Sequence, residues 1–233
     1  QLKKFGPLGT AHLLTPEQLS RKVENVLGMG WTTDRGGNSF DPFLTDMNEY
    51  RLLFGGIDSE NVTVRIKDPN GIMANVIERM SNEMGCRIVG AEFALDKSQR
   101  KLFTLVDASF EPKDVNGYDI ANTQQAIKQQ IVQLRETLLG EKVDVNDPEV
   151  QRTFDLFVAA WQEGKAGLAA TSGNTVSANI PDACVPDANY ITGEALKSDP
   201  NKQDQYRVDK AYTLRAWMAV MTYILSDYNF VYE

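Results

Sequence analysis

The sequence predicts an all-α protein: an irregular helical bundle with a long polar loop ahead of a C-terminal core helix. Three observations predict it. Apolar residues recur at three- and four-residue spacing along most of the chain. Cap and stop residues bracket these runs. Only Val62-Thr63-Val64-Arg65-Ile66 alternates in the manner of a strand. With 233 residues, 42% of them hydrophobic and 24% charged, the chain can bury a full core. It is expected to form one domain over 1–233.

In chain order, Thr15-Pro16-Glu17-Gln18 combines a hydroxyl cap, proline at the first helical position and a Gln placed to answer the cap. Leu19, Val23, Val26 and Leu27 follow on one face, and Gly28 stops the helix. A short helix is expected from Asp46 to Phe54, capped by Thr45 and ended by Gly55-Gly56. A longer one follows Asp68-Pro69-Asn70, with Ile72, Val76, Met80, Met84 and Ile88 in helical register; Gly85 and Gly90 should weaken its far end. Another short helix is expected around Lys97 to Val106.

The clearest unit is a helical hairpin. Ile127, Ile131, Leu134 and Leu138 stripe a helix from Ile120 to Leu139 that ends at Gly140. Asp147-Pro148-Glu149 caps a second helix, which carries Phe154, Phe157, Val158 and Trp161 and should stop at Gly164. From residue 165 to 204 the pattern gives way to Ala, Gly, Ser, Thr, Asn and Pro, a long excursion over the surface. The final helix, Gln205 to Ser226, is apolar around most of its circumference, with Trp217 and Val220 widening the Leu214–Met218–Met221–Leu225 stripe, and should be the core helix. Its apolar run is about half the length of a bilayer span.

The balance of charge excludes some function classes. A net charge of -8 with no basic stripe gives no grip on a phosphate backbone, so nucleic acid is not an expected partner. His12 is the chain's one histidine. Metal sites built from several imidazoles are therefore excluded, and any Ser-His-Asp or Cys-His nucleophile would have to use it. Placed just ahead of the first helix, His12 reads as a surface or capping residue. No Cys-x-x-Cys-His is present, so this chain holds no covalently attached c-type haem, and no phosphate-cradling glycine loop occurs.

Three features remain as candidates. The irregular stretch Trp31 to Phe43, with Asp34, Asn38 and Asp41, has the composition of many binding loops, although a surface loop pinned to the core by its aromatics is the favoured reading. His12 joins these as a candidate binding residue. Asp114, Asn116 and Asp119 supply oxygens at spacings a calcium ion accepts, although the glycine comes too early for an EF-hand and no bidentate Glu follows; Asx residues are also ordinary turn formers. Cys86 and Cys184 would form one disulfide in an exported protein, or stand apart as two buried thiols. The methionines on helix faces read as core filling.

The stretches Tyr50-Arg51-Leu52-Leu53-Phe54-Gly55-Gly56-Ile57-Asp58-Ser59, Asp68-Pro69-Asn70-Gly71 to Met84-Gly85-Cys86, and Arg215-Ala216-Trp217 through Asp227-Tyr228 resemble a helical domain. That domain occurs in uncharacterised exported proteins of planctomycetes and marine bacteria, often fused to or encoded beside c-type cytochrome modules. The resemblance spans most of residues 14–233 and transfers no catalytic residue. It implies a periplasmic or extracellular location and a protein partner in an envelope complex, a c-type cytochrome among the candidates. The expectation is a non-catalytic binding or structural subunit without a cofactor of its own. The alternative is a carboxylate-dependent hydrolase or lyase with its active site under the 165–204 loop.

Overall fold

The computed structural model describes residues 12–35, 38–45, 50–58, 60–196 and 206–232. Helices dominate them, in keeping with the all-α expectation. The elements in order are α1 (Pro16–Leu27), β1 (Thr33–Arg35), β2 (Asn38–Phe40), α2 (Tyr50–Leu53), α3 (Gly71–Phe93), α4 (Ala121–Leu139), α5 (Pro148–Ala169), α6 (Thr213–Leu225) and α7 (Tyr228–Val231). Two 3₁₀ turns, Lys97–Gln99 and Asp182–Cys184, lie between helices. The chain divides into two compact units, residues 1–80 with 226–233 and residues 81–225, so one boundary falls inside α3. No described helix is long and apolar enough to cross a membrane.

The first unit starts from the cap that the sequence announces. The Thr15 hydroxyl accepts from the Gln18 N–H at 3.0 Å, and the Gln18 side chain accepts from the Thr15 N–H at 2.9 Å. Leu19, Val23 and Leu27 are buried, and Gly28 ends α1 with φ 77°, a left-handed conformation that favours glycine. Against the expectation of a loop, residues 33–35 and 38–40 pair as two short antiparallel strands, Thr33 opposite Phe40 and Arg35 opposite Asn38. The C-terminal residues return to this unit: the Leu14 N–H donates to the Val231 carbonyl, and Leu13 bridges Tyr232.

One expectation in this unit needs correction. Val62–Ile66 forms no strand; among the described residues it has no partner strand, and alternation without a pairing edge leaves only coil. The helix expected over 46–54 is seen as α2 at Tyr50–Leu53, with residues 46–49 outside the described set. Its stop is as expected: the Gly55 N–H reaches the Leu52 carbonyl and the Gly56 N–H the Arg51 carbonyl.

In the second unit α6 packs against α5 and α4, and α4 against α5. Trp217 of α6 is fully buried, with the rings of Phe157 at 4.8 Å and Phe103 at 5.3 Å. This centre is the hydrophobic reason for the fold, since large aromatic side chains carry most of the apolar area removed from water.

The core helix is shorter than its sequence pattern. It begins at Thr213: Val208 is already out of the helix, bridging Asn179, and Tyr212 adopts φ 59° just ahead of the start. The buried Asp209 carboxylate caps the new start, accepting from the N–H groups of Leu214 and Arg215 and from Arg215 Nε. The helix expected at Lys97–Val106 is reduced to a single 3₁₀ turn. Backbone N–H groups that would have closed it are taken by a side chain, as described below.

Two glycines expected to weaken or end helices mark close approaches instead. α3 runs straight through Gly90, where a Cβ would stand 1.8 Å from the Cys184 carbonyl oxygen. α5 passes Gly164, where a Cβ would stand 2.1 Å from the Tyr212 ring, and continues to Ala169. The excursion therefore starts five residues later than expected; its described part is 170–196, and 197–204 lies outside the described residues.

Candidate functional site

The most elaborate polar arrangement lies in the second unit, where the excursion meets α3. Helical spacing places Glu92 on the same stripe as Met84 and Ile88, and its side chain is fully buried. A buried carboxylate must be satisfied or it is strongly destabilising. Its Oε2 accepts from the N–H groups of Leu102 at 2.8 Å and Phe103 at 3.0 Å, and its Oε1 from that of Lys101 at 3.1 Å. The Tyr190 hydroxyl completes the set by donating a short hydrogen bond to Oε1. Burial, then the hydrogen bond to Glu92 and its negative charge, push the Tyr190 phenol well above the ordinary tyrosine value.

On the same helix, Cys86 of α3 is joined to Cys184, with Cα atoms 4.9 Å apart. The absent Cβ of Gly90 lets the Cys184 backbone lie directly on the helix. Two anchors thus hold the excursion on α3, one covalent and one through a tyrosine. No local pattern around Tyr190 points to this contact. For Glu92 a cue existed: a charged residue on an apolar helical stripe marks a buried network.

A second polar network joins α4, α5 and α6. Glu149 receives the Tyr223 hydroxyl at 2.6 Å and Arg152 in a short pair, and Arg135 Nη1 stands 3.9 Å away. Arg135, almost fully buried, also pairs with Glu141 at 2.6 Å. Burial alone would raise the Glu149 carboxyl. The hydrogen bonds from Arg152 and Tyr223 and the charges of both arginines outweigh it and hold Glu149 below the ordinary value.

The residues singled out from sequence are placed as follows. His12 is exposed at the edge of the first unit. Trp31 is fully buried, packed on Phe43 at 4.9 Å and Tyr50 at 5.4 Å, so this aromatic pins its segment to the core. Asp34 and Asn38 stand on β1 and β2, opposite Ser39 and Arg35. The Asp41 carboxylate takes the Ser20 hydroxyl at 2.5 Å and the N–H groups of Phe43 and Leu44, building a turn and tying it to α1.

In the second unit, Asp114 Oδ1 accepts from the N–H groups of Asn116 and Tyr118, each at 2.9 Å, while Asp119 faces Lys113 at 3.6 Å. This turn stands on hydrogen bonds of its own, with Val115 and Tyr118 exposed on it. Among the described residues no three His, Cys, Asp or Glu side chains gather as a metal-binding group.

These features define a helical protein whose internal charges serve as braces. No protein-family model, curated protein or solved structure matches the chain.

Proposed function

We propose that the chain is a non-catalytic binding or structural subunit of a bacterial cell-envelope assembly, working beside a c-type cytochrome or another electron-transfer protein. The observation that carries the non-catalytic part is the state of Glu92. Its two oxygens hold three backbone N–H groups and one phenol, which leaves little capacity to move a proton for a substrate. Asp209 is used in the same way at the start of α6.

Three further points support the reading. A disulfide suits an oxidising compartment such as a bacterial periplasm. Val115 and Tyr118 stand exposed on a turn fixed by Asp114, and apolar side chains on a rigid support suit protein contact, because little freedom is lost on binding. The resemblance to exported helical domains supplies the envelope setting and the haem-protein neighbour.

The second reading, a carboxylate-dependent hydrolase or lyase under the excursion, draws on Glu92 lying where the excursion docks. It would require Glu92 to give up its backbone partners. Mild extraction of the native envelope followed by affinity purification of the chain tests the proposal. A stoichiometric partner, with haem absorbance in the complex, is expected. A chain recovered alone under every mild condition would count against it.

A further inference from the structure

Of the chain's asparagines, only Asn61 is followed two residues later by a hydroxyl residue, in Asn61-Val62-Thr63. That triad is the acceptor sequence of N-linked glycosylation. It arises often by chance, so its place in the fold decides whether it counts. It lies between α2 and α3, where residues 60–70 form neither helix nor strand. Asn61 and Thr63 are both exposed. Asp58 builds a tight turn just ahead of the triad, its Oδ1 accepting from the N–H groups of Glu60, Asn61 and Val62. The Asn61 side-chain amide also bonds this carboxylate, a surface contact that water replaces at little cost. Among the described residues the Thr63 hydroxyl has no hydrogen-bond partner, so it is open to an enzyme that reads it.

The residues that follow give this position a reason to be covered. Val62-Thr63-Val64-Arg65-Ile66 has the alternation and β-branching of a strand, yet no partner strand among the described residues. Val64 is 77% exposed and Ile66 48%. Such a segment is a template for pairing with another chain, and proteins blunt it with bulk or charge. A glycan three residues ahead of Val64 is bulky and solubilising.

We propose that Asn61 is an N-glycosylation site, loaded outside the cytoplasm from a lipid-linked oligosaccharide pyrophosphate. Asn61 Nδ2 attacks the anomeric carbon of the first sugar. The bond from that carbon to the pyrophosphate oxygen breaks, and the lipid pyrophosphate leaves with the electron pair. Nδ2 gives one proton to a base of the transferase, and nothing is oxidised or reduced. The site rests on the exported setting of the reading above, which the disulfide supports, and needs no partner subunit.

The test has two arms. In the first, the folded full chain is incubated with lipid-linked oligosaccharide and a transferase that requires only Asn-x-Ser/Thr, and its intact mass is read. One glycan per chain is expected, lost in Asn61→Gln and Thr63→Ala and retained in Thr63→Ser. These variants replace exposed side chains, and their melting temperatures are measured alongside. The tryptic peptide 52–65 serves as the unfolded acceptor. In the second arm, the same peptide is mapped by mass spectrometry in protein taken from its own organism, where Asn61 should carry the glycan. Three results would overturn the site: a folded chain refused while the peptide is accepted, a glycan that persists in Asn61→Gln, or an unmodified Asn61 in the native protein. An unmodified Asn61 within a haem-bearing complex would strike this site alone. A glycosylated chain found without partners would strike the subunit reading alone.

Discussion

The Tyr190 hydroxyl donates to the buried carboxylate of Glu92, 98 residues earlier in the chain. The same carboxylate holds the backbone of residues 101–103, so one side chain organises both the turn after α3 and the docking of the excursion. Removing either partner should therefore be costly, and unequally so. Glu92→Ala strands several buried donors, each worth roughly 1–3 kcal/mol when left unsatisfied, and should lower unfolding stability by more than about 3 kcal/mol. Tyr190→Phe removes one hydrogen bond to a charged group and should cost about 1.5–3 kcal/mol. Urea denaturation of both variants checks the order; equal and small losses would show that Glu92 is no brace.

Loss of the bridge should be felt most by the unfolded chain. With cysteines 98 residues apart, the chain-entropy argument gives about 4.7 kcal/mol for a loop of this size. Cys86→Ala/Cys184→Ala should fall by about 3–5 kcal/mol in chemical denaturation, with an unchanged far-ultraviolet circular dichroism spectrum at 25 °C. A loss under about 1 kcal/mol would contradict it.

Glu149 sets an acid-side dependence. Its folded carboxyl lies below the ordinary 4.5, so it contributes stability that is present above that value and lost as pH falls through the folded one. The stability of the Glu149→Gln variant should vary less with pH below about 4.5 than that of the parent. Thermal melts from pH 6 down to about pH 3 measure this, and parallel curves for the two proteins would refute it.

Gly90 tests the seating of the excursion. A methyl group there would overlap the Cys184 carbonyl, which is backbone and cannot rotate aside. Gly90→Ala should cost about 1–3 kcal/mol in spite of alanine's higher helix propensity. A stabilised variant would mean that the excursion does not rest on α3.

Much of the helical order was legible because caps and apolar stripes are local. Thr15 with Gln18, Asp147 with Pro148, and the stripe from Ile127 to Leu138 each declare their element within a few residues. Tyr212 was not legible: it has a positive φ, and its ring lies against Gly164, far back in the chain, with the Arg215 guanidinium 3.9 Å from the ring. The missing helix after Lys97 has the same cause, since Glu92 captures its N–H groups across the turn. At the candidate site the cysteines were visible as residues but their union was not, because pairing depends on where α3 and the excursion meet. Trp31 and Asp41 were visible as unusual, yet composition alone does not distinguish a binding loop from a pinned one.

The proposed role is tested most directly by native mass spectrometry of the protein taken from its own organism. The expected spectrum shows the chain two daltons lighter than its dithiol form, in a defined complex with at least one envelope partner that carries haem. A lone chain in every preparation, turning over a substrate through Glu92, would contradict the account.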